Sequence, residues 1–170
     1  FDEIIESISE RNTALDIGVH VGIWTRRLAE KLEHVYCFEP VPKHIECWYA
    51  NVADDYDNVD ITDIALSDVE GTAIMKVPNV TNSGMASLVH EPKQKTGDRL
   101  VPPVWENYPT IQVKTTTLDS YNFNQLDFIK IDVECFELRV LQGAKNTIRK
   151  HKPIMYIEMS DSEAYTYIKD

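Results

Sequence analysis

Gly18 and Gly22 stand four apart, just behind the apolar run Thr13–Ile17 that carries Asp16, and a helical pattern begins after them. Glycine at the end of a buried strand permits positive φ and lets a ligand come close to the backbone. The helix behind the turn offers unpaired N–H groups. His20 sits inside the turn, where its simplest use is as a hydrogen-bond donor, although a histidine there can also move a proton. A dinucleotide turn takes G-x-G-x-x-G, whereas this chain reads Gly18-Val19-His20-Val21-Gly22. Without the middle glycine a pyrophosphate is held off, and a ligand lacking phosphate fits better. Glu39 ends the next apolar run, 23 positions after Asp16, where a carboxylate can accept hydrogen bonds from both hydroxyls of a ribose.

A glycine turn and a ribose acid with no phosphate cradle point to S-adenosylmethionine, a nucleoside carrying a sulfonium cation. Methyl transfer from a sulfonium aligns a nucleophile with the methyl carbon, and an alcohol nucleophile needs help in losing its proton. Asp132, ending the run "DFIKID", is the first candidate for a base, and it serves equally as a helix cap balancing the cation. Glu134 and Glu158 can join it at the carboxyl edge of the sheet. Such a cluster would hold Mg²⁺ or Ca²⁺ through oxygen ligands, or raise the proton affinity of one member for base catalysis. Both options stand. Glu137 falls in a first helical turn, where an acid is favoured structurally.

These groups need elements to position them. Short apolar runs alternate with helical patterns: helix 1–10, strand "TALDI", helix from Ile23, strand "HVYCFE", helix from Pro42, strand 59–66, strand "TAIMKVP", an extended stretch from Thr110, strand 126–134, one helix "CFELRVLQGAKNTIRKHK" and strand 153–158. That alternation predicts an α/β fold with a doubly wound, mainly parallel sheet covered on both faces. Residues 79–110 lose all periodicity and are too long for an idle connection, so a lid over the acceptor is expected, with His90, Trp105 and Tyr108 as candidate contacts. His34, His44 and His151 flank elements and read as surface residues.

The chain of 170 residues is one domain by length, 1–170, and its net charge of −11 argues against nucleic acid or an anionic membrane as partner. No run is long enough to span a bilayer. The three cysteines match no zinc pattern and read as reduced thiols, which favours a cytoplasmic location. Oligomeric state is not legible.

"LDIGVHVGIWT", "VYCFEPVPKHIECWYANV", "DIALSDVEGTA", "TTTLDS" and "DFIKIDVECFELRVLQGAKNTIRKHKPIMYIE" occur in order over residues 13–158. In these the chain resembles the FkbM family of S-adenosylmethionine-dependent methyltransferases. The resemblance implies a Rossmann-like class I core in which Asp16, Gly18, His20 and Gly22 form the first cofactor motif. It implies that Glu39 and Pro40 form the ribose step, that Asp63 to Ala65 border adenine, and that Asp132 also meets the cofactor. It further implies that Asp132, Glu134 and Glu137 match the D-V-E-G-x-E signature, and that Glu158 ends the next strand. The family has Asn where His20 stands, which implies a changed contact with the methionine tail, and Gly where Cys135 stands, which implies a looser turn or a narrower pocket there. The class usually continues into a C-terminal β-hairpin, so the sheet edge is expected to be abbreviated or the chain a fragment. The implied activity is O-methylation of a hydroxyl on a sugar, glycan or small metabolite. The alternatives are an idle nucleoside-binding module and, disfavoured by the missing glycine, an NAD-dependent oxidoreductase.

Overall fold

A computed structural model describes residues 2–6, 8–78, 83–88, 108–159 and 162–169. Five strands form one parallel sheet in the order β3-β2-β1-β8-β9. These are β1 (Thr13–Ile17), β2 (His34–Phe38), β3 (Val59–Thr62), β8 (Phe128–Ile131) and β9 (Ile154–Ile157). The order reverses beside β1, which runs out to β2 on one side and meets β8 on the other. That switch point opens a crevice at the carboxyl ends of the two strands.

The pleat sorts side chains between two cores. Leu15, Ile17, Ile129 and Ile131 enter one cluster, while Ala14 and Phe128 enter the other. The second cluster lies under α1 (Asp2–Glu6), α2 (Ile23–Ala29) and α3 (Pro42–Trp48). By the same period of two, Asp16 and Lys130 fall on the α2 side, and the ladder pairs them directly across β1 and β8.

On the opposite face α4 (Glu137–Gln142), α6 (Ser162–Lys169) and a second sheet close the first core. This sheet runs β4-β7-β5-β6, from β4 (Ala65–Leu66), β7 (Thr110–Thr116), β5 (Gly71–Lys76) and β6 (Ser87–Leu88). It corrects the expectation of one strand over 59–66. The chain bends at Asp63, where Ile64 N–H donates back to the Thr62 carbonyl at 2.9 Å, and Ala65 leaves for the second sheet.

The single helix expected after β8 is also two, α4 and α5 (Lys145–His151). The break falls at Gly143, where the Ser67 carbonyl passes so near that a Cβ would stand 1.9 Å from it. After α3 the chain continues through a π-helical turn, Tyr49–Ala53, which sets Trp48 and Val52 against the first glycine turn.

Of the expected lid, residues 79–82 and 89–107, with His90 and Trp105, lie outside the described residues. Its described part turns through Ser83–Met85 into β6, which pairs antiparallel with β5. Among the described residues no helix is long and apolar enough to cross a membrane.

Candidate active site

A cavity of about 360 Å³ opens at the carboxyl ends of the parallel strands. Its floor is Ile17 and Gly18; one wall carries Glu39, Pro40 and His44, and the facing wall carries Asp132, Glu134 and Glu158. Ile64, Ala65 and Leu66 add an apolar side, and Gly84 to Ala86 cover part of the mouth. The volume is within the range of pockets for small ligands, roughly 300–1,000 Å³.

Gly18 is required by packing as much as by any ligand. Its φ is 77°, and a Cβ would stand 1.8 Å from the carbonyl oxygen of Asp132. The ends of β1 and β8 thus close on each other only through glycine. Gly22, at φ 89°, lies outside the cavity lining; a Cβ there would meet Val52 at 2.5 Å and Trp48 at 2.9 Å. Its glycine serves the packing of α2 against the π-helical turn.

Glu39 is 4% exposed and ties the wall together. Its Oε2 accepts the His20 backbone N–H at 2.8 Å, and its Oε1 accepts the Val41 N–H at 3.0 Å and bonds His44 Nδ1 at 3.2 Å. His20 itself holds a left-handed φ of 53°, and its ring packs edge-on against His44 with centroids 4.5 Å apart. Burial, then the adjacent His44, lowers the proton affinity of His20 below that of an ordinary histidine, which favours the neutral ring. The surface position expected of His44 is not observed: it is buried, because the glutamate that ends β2 draws it inward from the first turn of α3.

Asp16 never reaches the cavity. It is fully buried, accepts the Thr25 hydroxyl at 2.7 Å, and lies 3.3 Å from Lys130 Nζ, too poorly aligned for a hydrogen bond on Oδ1. Burial raises its proton affinity against the opposing pull of Lys130. Lys130, 1% exposed, donates to the Gly18 carbonyl at 2.6 Å and stands 3.4 Å from Asp132 Oδ2. One buried ammonium therefore joins Asp16 beneath the floor to Asp132 in the wall.

The structure brings Asp132, Glu134 and Glu158 to one rim, as expected. Glu134 and Cys135 follow β8 in consecutive left-handed conformations, φ 46° and 67°, uncommon for residues with a Cβ. The Ser87 hydroxyl donates to the Glu134 carbonyl, and Glu137 Oε1 accepts the Cys135 N–H at 3.1 Å, fixing the turn. Burial, then the negative charges of Asp132, Glu158 and Glu137, raises the proton affinity of Glu134. Cys135 is not among the residues that line the cavity. Asp63 is exposed and also outside it, while its neighbours Ile64 and Ala65 take the lining positions. Among the described residues no three His, Cys, Asp or Glu side chains are gathered to hold a metal ion.

A model of the methyltransferase FkbM domain matches residues 16–169. The chain belongs to the FkbM methyltransferase family. No curated protein matches it significantly. Two solved structures are similar in fold. One is a methyltransferase FkbM from Methylobacillus flagellatus KT, 19% identical with a TM-score of 0.55, matched over 86% of this chain and 32% of that one. Another is an rRNA methylase from Streptococcus thermophilus, 12% identical with a TM-score of 0.53, matched over 99% of this chain and 77% of that one. At these identities they support the Rossmann-like fold alone, and the chain spans about a third of the length of the first.

Two residues of this FkbM site escaped the sequence reading. Lys130 interrupts an apolar strand between Ile129 and Ile131, and a lysine there needs a buried anion. His44 follows Glu39 by five positions, within reach across the strand-to-helix turn.

Proposed function

We propose that this domain transfers a methyl group from S-adenosylmethionine to a hydroxyl of a sugar, glycan or small polar metabolite. The observation that supports this best is one cavity with a ribose acid, Glu39, on one wall and three carboxylates on the other. The residues fit the cofactor: Glu39 stands where it can accept from the ribose, Ile64, Ala65 and Leu66 offer an apolar surface to adenine, and the acidic rim favours a cation. When bound, the cofactor supplies an electrophilic methyl group.

The chain's own groups then divide two tasks. Asp132 stands beside Lys130 and shares its ammonium with Asp16, which suits a fixed charge in the wall. Among the described residues the charges that act on Glu134 are the carboxylates of Asp132, Glu158 and Glu137, and its raised proton affinity suits removal of a proton from the acceptor hydroxyl. On these grounds we prefer Glu134 to Asp132 as the base. The net charge of −11 supports a small neutral acceptor over an RNA.

The test is incubation with methyl-labelled S-adenosylmethionine and a panel of sugars, glycans and small alcohols. Label on a hydroxyl-bearing acceptor is expected, in a bond stable to base. Label found instead on RNA, or on amines alone, would contradict the proposed acceptor class.

A further inference from the structure

Glu39 alone lacks the acceptor capacity for a ribose diol in this chain. A carboxylate offers about four acceptor sites. Three of them are taken by the His20 N–H, the Val41 N–H and His44 Nδ1. About one site, on Oε2, is left for two hydroxyls.

The missing acceptor is next to it. His44 is 6% exposed and lines the same cavity, and its Nε2 is buried with no hydrogen-bond partner among the described residues. Because Glu39 Oε1 accepts from Nδ1, that nitrogen carries a proton, and in the tautomer so fixed Nε2 is the acceptor nitrogen. An orphaned buried acceptor costs stability unless something completes it. We infer that His44 is a cofactor-specificity residue, whose Nε2 accepts one hydroxyl of the ribose while Glu39 accepts the other.

Nε2 has almost no water-accessible surface, so a side chain in the wall must shift to admit the hydroxyl. The partly exposed His20 ring, edge-on to His44, is the neighbour positioned to do so. The pair thereby requires a cis-diol and selects a ribonucleoside over a deoxyribonucleoside. This rests on the S-adenosylmethionine reading proposed above.

Calorimetric titration of S-adenosylhomocysteine and its 2′-deoxy and 3′-deoxy analogues tests it in the wild type, His44→Phe and His44→Gln. Each deoxy analogue is expected to bind the wild type about ten-fold more weakly than the parent. His44→Phe should lose about ten-fold for the parent, and one of the two deoxy analogues should then bind it as well as the parent does. His44→Gln, which keeps an acceptor oxygen, should restore part of that discrimination; circular dichroism verifies that both variants fold. If both deoxy penalties persist undiminished in folded His44→Phe and His44→Gln, His44 is no ribose ligand, although the cofactor reading stands. If the parent fails to bind the wild type, the cofactor reading falls, and this inference with it.

Discussion

Lys130→Met is expected to lower folding stability by about 3–5 kcal/mol, the usual cost of removing one partner from a buried ion pair. The change keeps the length of the side chain in a position that is 1% exposed, so packing changes little. It strips Asp16 of its counter-ion, leaving the Thr25 hydroxyl as its side-chain donor. The deficit should depend on pH. Burial already raises the proton affinity of Asp16, and losing Lys130 raises it further. A raised acid binds protons more tightly when folded, so its stability contribution is full below the ordinary aspartate value and is lost as pH rises through the folded one. Chemical denaturation should therefore show a variant close to wild type in acid and increasingly inferior towards neutrality. Adding Asp16→Asn should recover much of the loss. A deficit below about 1 kcal/mol at every pH would mean that the ammonium does not neutralise Asp16.

Glu134→Gln is expected to cut turnover on the order of 10²–10⁴-fold, the usual worth of a positioned base. In the wild type the rate should fall as pH drops through a value above the ordinary glutamate range, because Glu134 must be ionised to accept a proton. The variant should lose that acidic limb. It should also be more stable than the wild type at neutral pH. The raised proton affinity means that ionised Glu134 opposes folding, its contribution being fullest below the ordinary glutamate value and lost as pH rises through the folded one. Asp132→Asn should slow turnover while keeping the acidic limb. A rate abolished by EDTA and restored by Mg²⁺ would instead assign the rim a metal. An unchanged rate in Glu134→Gln returns the proton to Asp132, Glu158 or His20.

The parallel sheet was legible because buried parallel strands are near-continuous apolar runs, and "TALDI", "HVYCF" and "DFIKI" read as such. The second sheet was not. Its strands are short and separated by irregular chain, and the bend at Asp63 depends on a backbone bond that leaves no signature in residue type. The same limit explains the two glycines. Gly18 and Gly22 were found as a turn, but their closest neighbours, Asp132, Val52 and Trp48, come from distant segments. Asp16 was expected in the cofactor motif, yet it lies beneath the cavity, and its partner emerges only from the register that sets it opposite Lys130. The acidic rim was foreseen because strand-terminal carboxylates converge wherever the strands are parallel. Their difference in proton affinity depends on burial and charge spacing, which need coordinates.

Titration calorimetry with S-adenosylhomocysteine is the decisive test of a phosphate-free nucleoside site at the ends of β1 and β2. One equivalent should bind the wild type, NAD should give no signal, and Glu39→Ala should weaken the binding by about 1–3 kcal/mol. Binding of NAD in place of S-adenosylhomocysteine, or a Glu39→Ala variant with undiminished affinity, would rule that site out.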